Sequence, residues 1–194
     1  MIAEVDLSTG LAGFALRNPV LLASGTCGYG TELSPFIALE QLGGIVAKSL
    51  TLAPRAGNLP PRITETPAGM LNAISLENVG VDAFIREKLP ALPAAVTVLA
   101  SVFETELERY AEVCKRLDGV ERVSALELNA SCPHVKAGGI EFGQDPRVLA
   151  ELVRTCRRAT TRPLLVKLSP NVTSIAEMAR VCEGEGADGL SLIN

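Results

Sequence analysis

Short runs of apolar, largely β-branched residues recur along this chain, and this recurrence limits the folds open to it. Helical patterns separate several of the runs, over residues 104–117, 145–159 and 174–186. Continuous apolar runs suit parallel strands that are covered on both faces, and strands that alternate with helices indicate an α/β fold. The predicted strands are residues 20–23, 44–48, 96–101, 125–129, 164–168 and 189–193.

Two of the predicted helices carry N-terminal capping signals. Asp145 is followed by Pro146, and Ser174 is followed three residues later by Glu177. Asp and Ser side chains accept hydrogen bonds from the free amides at the start of a helix, and proline is tolerated in its first turn. We therefore expect helices to begin at these two positions.

The ends of the strands distinguish a doubly wound sheet from a (β/α)8 barrel. Most of the runs end in a polar residue, and a barrel brings the carboxyl ends of all its strands to one site. No GxGxxG motif follows a first strand, which disfavours a dinucleotide-binding sheet. The sequence therefore predicts an α/β fold of the TIM-barrel type, with these residues at its mouth: Ser24, Lys48, Ser101, Asn129, Lys167 and Asn194.

The number of runs predicts a partial barrel. A closed barrel of this type has eight strands, whereas six runs are present. We therefore expect residues 1–194 to form a single barrel domain that is truncated after about six strands and incomplete at its C-terminus. The residues before the first run are expected to form a small hairpin that closes the lower end of the barrel, with its turn at Ser8 to Gly10.

Composition excludes several classes of function. A net charge of −4, from 18 basic and 22 acidic residues, provides no basic patch for nucleic acid or for an anionic membrane. No run is long enough to span a membrane and no signal-peptide pattern opens the chain, so we expect a cytoplasmic protein. The cysteines contain no CxxC pair, which argues against a disulfide framework and a zinc site. Three of them fall in helical patterns and are expected to be core thiols: Cys114, Cys156 and Cys182.

Two lysines, Lys48 and Lys167, stand at the ends of predicted buried strands. A buried ammonium is unfavourable unless an anion or an electron-rich ring meets it. Each lysine therefore either forms an ion pair at the rim of the barrel or contacts a ligand. The presence of two, on different strands, favours a shared anionic ligand.

Residues 69–80 are predicted to form a long ordered loop. Asn72 and Asn78 lie within it. Asparagine side chains favour turns, but the same amides can also read a flat, hydrogen-bonding ligand. The local sequence leaves both interpretations open.

Cys132 lies in the segment LNASCPH, directly after a predicted strand and between a hydroxyl residue and a proline. Three roles are open to it: a general base, an inert thiol, or a nucleophile paired with His134. A partner only two residues away seldom makes the contact that a Cys–His couple needs. The polar context is unusual for a structural thiol, and nearby lysines favour a thiolate, so the general base is the preferred interpretation.

Five ordered segments resemble dihydroorotate dehydrogenase, and specifically the N-terminal portion of its soluble, cysteine-dependent class. The segments are LLASGTCGYG, VAKSLT, PRITETPAGMLNAISLENVG, LELNASCPHVKAGG and LLVKLSPN. The resemblance extends from about Asn18 to Asn194. SGTCGYG and ETPAGMLNAI are also similar to the NAD-linked (type 1B) branch of this class.

The resemblance implies a TIM barrel that holds FMN and oxidises (S)-dihydroorotate to orotate in pyrimidine (UMP) biosynthesis. It implies that Cys132 is the catalytic base and that Lys167 stabilises the reduced flavin. The NAD-linked branch implies a partner, an iron–sulfur flavoprotein electron-transfer subunit that passes electrons to NAD within a heterotetramer. The implied FMN-binding residues are Ser24, Gly25, Lys48, Ser49, Asn129, Lys167 and Ile193, and the implied substrate-binding residues are Lys48, Asn72, Ala73, Ile74, Ser75, Leu76 and Asn129.

The chain departs from the family pattern at three positions. His134 and Ser101 stand where asparagine is usual, and Ser75 stands where glycine is usual. Two other functions therefore remain open. One is a different FMN barrel reductase, such as a dihydropyrimidine dehydrogenase-like enzyme, and the other is an inactive fragment.

Overall fold

The structure is a computed structural model that describes residues 5–130 and 142–194. Parallel strands alternate with helices through most of this part of the chain, as the sequence predicts. The strands, in chain order, are β1 (Thr9–Leu11), β2 (Phe14–Leu16), β3 (Leu21–Leu22), β4 (Gly44–Leu50), β5 (Ile63–Thr66), β6 (Gly69–Asn72), β7 (Val98–Val102), β8 (Val123–Asn129), β9 (Leu164–Lys167) and β10 (Gly189–Ser191).

Four α-helices lie in the described ranges. They are α1 (Val81–Ala83), which continues into a π-helical turn over Phe84–Lys88, then α2 (Leu107–Asp118), α3 (Pro146–Ala159) and α4 (Ile175–Gly184). No helix in these ranges has the length and apolar character needed to cross a membrane.

Both predicted helix caps are confirmed. The Asp145 carboxylate accepts hydrogen bonds from the amides of Arg147 at 2.8 Å and Val148 at 3.3 Å. The Ser174 hydroxyl accepts from the Glu177 amide at 3.2 Å. Each cap satisfies amides that have no partner within the helix.

The helix predicted from residue 104 begins instead at Leu107. Glu104 lies outside the helix and is buried, and its carboxylate accepts a hydrogen bond from the Leu52 amide at 2.8 Å. The same carboxylate forms an ion pair with Arg109 at 2.8 Å. These contacts join the segment after β4 to the segment after β7.

Six strands form one parallel sheet in the order β10-β9-β8-β7-β4-β3. Two hydrogen bonds show that the sheet is strongly curled. Glu127 of β8 bonds to Ser24, just after one edge strand, and to Ser191, on the other edge strand. A flat sheet would hold these serines far apart. The curl gives the sheet a concave inner face.

The two faces of the sheet bury different cores. The larger core lies between the convex face and the helices and includes Cys114, Cys156 and Cys182, which are fully buried as predicted. Burial raises the pKa of the Cys182 thiol to about 12. The smaller core lies inside the curl, where four strand residues pack against the β1–β2 hairpin: Val46, Leu99, Ala125 and Leu165.

The N-terminal hairpin therefore covers the lower end of the curled sheet, as predicted, but its turn was placed wrongly. Gly10 pairs with Ala15 inside the hairpin, and the turn is formed by Ala12 and Gly13. Both turn residues have positive φ angles, of 48° and 84°. Two positive φ angles in a two-residue loop match the twist of the flanking strands, which explains why the turn lies here.

The prediction of a long loop over residues 69–80 is wrong for its first four residues. Gly69–Asn72 forms β6, which pairs antiparallel with β5. Every residue of this hairpin is exposed. With neither face buried, the strands lack the hydrophobic alternation that marks a strand in a sequence.

Candidate active site

The concave face changes from apolar to polar along the direction of the strands. Alternate residues of a strand share a face, so Leu99 and Ser101 lie on the same face of β7, as do Leu165 and Lys167 of β9. The lower residues pack against the hairpin. The upper residues form a polar layer at the carboxyl ends of the strands: Lys48, Ser101, Glu127, Asn129, Lys167 and Ser191.

Two members of this layer, Ser101 and Asn129, form a hydrogen-bonded network with Ser49. Ser49 and Ser101 share a hydrogen bond between their hydroxyls at 2.9 Å, and the Asn129 amide nitrogen donates to the Ser49 hydroxyl at 3.1 Å. All three are buried. The backbone of Asn129 is anchored as well, since the Tyr110 hydroxyl donates to its carbonyl oxygen at 2.9 Å. Ser101 thus supports Ser49 directly and Asn129 through Ser49.

The orientation of Ser49 follows from an irregularity in β4. The register between β4 and β7 shifts between Ala47 and Leu50. Such a bulge re-aims side chains near the end of a strand. As a result, Ser49 reaches the network although it is adjacent to Lys48 in the sequence.

The two lysines differ in burial but share an electrostatic feature. Lys167 is only 8% exposed and donates to the Ser24 hydroxyl at 3.4 Å, whereas Lys48 is partly buried. Within residues 5–130 and 142–194, neither ammonium lies within ion-pairing distance of a carboxylate. The rim ion pair that the sequence left open is therefore not found in this part of the chain.

The chain leaves β3 through Ser24 and Gly25. Ser24 is buried, and Gly25 has a φ angle of 84°, a conformation that favours glycine. A Cβ atom at Gly25 would meet no atom within 4 Å, so the space beside this backbone is open. Cys27, by contrast, is buried beneath the segment, and burial together with the Glu32 carboxylate raises the pKa of its thiol to about 11. Cys27 is therefore a protonated structural thiol.

The predicted substrate segment follows the β5–β6 hairpin and is held by its own backbone. The Ala73 amide donates to the Arg62 carbonyl at 2.8 Å, and the Asn58 amide donates to the Ile74 carbonyl at 3.1 Å. Ser75 and Leu76 have positive φ angles of 63° and 56°. Glycine adopts this region without strain, whereas a side chain such as that of Ser75 is less favourable there.

The structure separates Asn78 from Asn72. Asn78 is buried, and its side-chain oxygen accepts from the Thr51 amide at 3.2 Å, the Thr51 hydroxyl at 3.0 Å and the Gly80 amide at 2.9 Å. Its amide nitrogen donates to the Leu76 carbonyl at 2.9 Å. Asn78 therefore fastens the loop to the end of β4. Asn72 is exposed at the end of β6 and remains a candidate for binding a ligand.

We expect Asn78→Ala to lower the free energy of unfolding by about 2–3 kcal/mol, because it leaves buried donors without an acceptor. Asn72→Ala is the matched control and should change that free energy by less than about 0.5 kcal/mol, since its side chain is exposed. Urea denaturation of both variants measures the difference. Equal stability of the two would contradict the structural role of Asn78.

Two residues singled out in the sequence, Cys132 and His134, lie outside the described part of the chain. The described residues on either side of them are well packed. A Cβ atom on Gly143 would come within 2.4 Å of the Ala130 carbonyl oxygen, so only glycine fits there. Phe142 packs edge-on against Tyr110, with ring centroids 5.6 Å apart.

Ile193 lies just after β10, the edge strand opposite β3 in the sheet, and is 48% exposed. The amide of Asn194 donates to the Leu168 carbonyl at 3.2 Å, which continues the pairing beyond the strand. The structure thus brings Ser24, Ser49, Asn129 and Lys167 together at the carboxyl ends of the strands. Asn72 and Ala73 lie exposed at the end of the β5–β6 hairpin.

Sequence reasoning missed Glu127 and Ser191. Glu127 is 3% exposed, and its carboxylate accepts hydrogen bonds from Ser24 and Ser191. A charged residue inside the apolar run ALELN was the available signal, because an isolated buried carboxylate is unfavourable without partners.

Comparison with known proteins places the chain in a family. The family model described as dihydroorotate dehydrogenase matches residues 6–194. The chain is 54% identical over 194 residues to the dihydroorotate dehydrogenase B (NAD(+)) catalytic subunit of Geotalea daltonii, covering 100% of this chain and 64% of the relative. It is 56% identical over 189 residues to the protein of the same name from Trichlorobacter lovleyi, covering 97% and 62%.

A solved structure supports the fold assignment. The crystal structure of dihydroorotate dehydrogenase from Eimeria tenella in complex with ferulenol superimposes with a TM-score of 0.79 at 19% identity, covering 100% of this chain and 60% of that one. The predicted barrel fold is confirmed, with six strands of a curled sheet present here. The chain spans 62–64% of the length of these curated relatives.

Proposed function

This chain belongs to the dihydroorotate dehydrogenase family, and on that premise we propose that the complete protein oxidises (S)-dihydroorotate to orotate in pyrimidine biosynthesis. In this proposal residues 1–194 belong to a single FMN-binding barrel domain. The observation that carries the proposal is the pair of lysines without carboxylate partners in the described ranges, beside a buried network of amide and hydroxyl groups.

The donors at the carboxyl ends of the strands fit FMN. Lys48 and Lys167 supply positive charge, and a flavin ring presents carbonyl oxygens and ring nitrogens that accept hydrogen bonds. The open space beside Gly25 leaves room for a ligand close to the backbone. When bound, FMN supplies a hydride acceptor. The residues proposed to hold it are Ser24, Gly25, Lys48, Ser49, Asn129, Lys167 and Ile193.

The chain's own residues divide the remaining work. We assign removal of the proton at carbon 5 of dihydroorotate to the Cys132 thiolate, a role that needs only a positioned base of suitable pKa. Asn129 is fixed by Ser49 through its side chain and by Tyr110 through its backbone, so its amide is held for hydrogen bonding with little reorganisation. The positive charges of Lys48 and Lys167 favour an anionic substrate. The proposed substrate contacts are Lys48, Asn72, Ala73, Ile74, Ser75, Leu76 and Asn129.

The electron acceptor is proposed from the names of the relatives. Two of them are called dihydroorotate dehydrogenase B (NAD(+)), catalytic subunit, and a catalytic subunit implies a second subunit. We propose that an iron–sulfur flavoprotein subunit takes electrons from this protein and passes them to NAD, in a heterotetramer of the two subunits. The proposed location is the cytoplasm.

The test uses the complete protein, purified alone and with the co-expressed second subunit. FMN absorbance should accompany the protein, and dihydroorotate added without oxygen should bleach it, whereas dihydrouracil should not. NAD reduction should require the second subunit. Bleaching by dihydrouracil alone would favour a dihydropyrimidine dehydrogenase-like reductase, and a complete protein that binds no FMN would contradict the proposal.

A further inference from the structure

The polar layer contains a buried carboxylate for which the proposed reaction has no use. Glu127 lies on β8 between Ala125, which packs against the hairpin, and Asn129 at the mouth of the barrel. It accepts hydrogen bonds from the Ser24 hydroxyl at 2.8 Å and from the Ser191 hydroxyl at 2.7 Å. Among the described residues, no cation lies within ion-pairing distance of it.

Glu127 is linked to Lys167 through one serine. The Lys167 ammonium donates to the Ser24 hydroxyl oxygen at 3.4 Å, and the same hydroxyl donates its hydrogen to Glu127. Ser24 thus forms a hydrogen-bonded relay that connects the buried positive charge of Lys167 to the buried negative charge of Glu127. The interaction of two such charges is strong, because the protein interior screens them less than water does.

This arrangement determines what Ser24 can do. Its single hydroxyl hydrogen is directed to Glu127, so its oxygen lone pairs face the Lys167 ammonium. Lys167 is thereby held by a serine oxygen rather than drawn into a direct ion pair, and its charge stays at the mouth of the barrel. Glu127 offsets part of that charge from below.

We propose that Glu127 is a positioning residue that, through Ser24, holds the Lys167 ammonium in place and lowers the reduction potential of the flavin. This inference rests on the proposed function, because it assumes that FMN binds beside Lys167. Reduction adds negative charge to the flavin ring, and a buried carboxylate nearby opposes that addition. Removing the carboxylate charge should therefore make the flavin easier to reduce.

A purely structural role for Glu127 predicts a different result. Glu127 also connects the two edges of the curled sheet through Ser24 and Ser191. If that were its whole role, each variant that breaks one of these hydrogen bonds would lower stability without changing the potential. The midpoint potential of bound FMN separates the two roles.

The experiment compares Glu127→Gln with Ser191→Ala in the complete, FMN-loaded protein. Glu127→Gln keeps the shape but removes the charge, and it should raise the reduced-to-oxidised ratio at a fixed potential at least tenfold, which is about 30 mV for a two-electron couple. Ser191→Ala removes one hydrogen bond to the same carboxylate but keeps the charge. It should change the ratio by less than threefold, although it lowers the thermal midpoint.

Ser24→Ala provides a second variant in case Glu127→Gln does not fold. It removes the relay but keeps both charges, so the ammonium is free to turn toward Glu127 and the flavin should become harder to reduce, by at least threefold in the same ratio. Opposite shifts for Glu127→Gln and Ser24→Ala would be specific to the proposed relay. If Glu127→Gln does not fold, a wild-type midpoint potential of bound FMN in Ser24→Ala would overturn the inference.

The outcomes also separate this inference from the proposed function. If dihydroorotate bleaches the wild-type flavin but Glu127→Gln keeps the wild-type potential, the inference fails and the function stands. If the complete wild-type protein binds no FMN, the proposed function fails and the inference fails with it.

Discussion

Cys132→Ala in the complete enzyme should slow flavin reduction by dihydroorotate about 10²–10⁴-fold, the range for loss of a positioned general base. FMN and orotate should still bind, because the side chains of Ser49, Ser101 and Asn129 hydrogen-bond to one another. Anaerobic stopped-flow bleaching of the flavin measures the rate. Orotate titration of the oxidised flavin measures binding.

Two variants serve as controls for this result. Cys132→Ser should recover activity only at higher pH, since a hydroxyl has a much higher pKa than a thiol and is a weaker proton acceptor near neutrality. Cys27→Ala replaces a buried, protonated thiol and should leave the rate of proton transfer unchanged. A wild-type rate in Cys132→Ala would remove this residue as the base and make His134 the next candidate.

The second large effect is expected for Lys167→Ala, which should slow flavin reduction by roughly 10²–10³-fold, as for loss of one preorganised group that stabilises developing charge. The variant also leaves the Ser24 hydroxyl without its ammonium and Glu127 without the compensating charge. We therefore expect weaker FMN binding and a lower thermal midpoint as well. Stopped-flow reduction, FMN titration and thermal unfolding measure the three effects.

Lys115→Ala is the matched control, because this lysine is exposed on α2. It should match the wild type in all three measurements. Lys167→Arg should restore the charge but not the full rate, since a planar guanidinium does not replace a compact ammonium in a buried site. A wild-type reduction rate in Lys167→Ala would show that this lysine serves only the packing of the strand ends.

Much of the fold could be predicted because it follows from local patterns. Buried strands such as β4 and β9 appear as apolar runs, and the caps at Asp145 and Ser174 depend only on residues two or three positions away. The β5–β6 hairpin was missed for the complementary reason. It buries neither face, so no period-two hydrophobic pattern marks it.

Parts of the candidate site could be predicted where an unusual residue type stands at the end of a predicted strand. Lysines at the ends of buried strands are unusual enough to be noticed alone, and the ordered motifs around them suffice to indicate the family, which the family model confirms over residues 6–194. The role of Asn78 was not predictable. Its three hydrogen-bond donors come from Thr51 and Gly80, and the Thr51 contacts cross 27 positions of the chain.

The sequence by itself determined the order of the six sheet strands and of helices α2 to α4, the barrel class and the polar ends of the strands, because each follows from periodicity or from residue type. Only the tertiary structure decided which of those polar groups meet. Glu127 contacts Ser24 and Ser191, which are 103 and 64 positions away in the chain. These contacts exist because the sheet curls until its two edges approach one central strand, and no local pattern in the sequence records the degree of that curl.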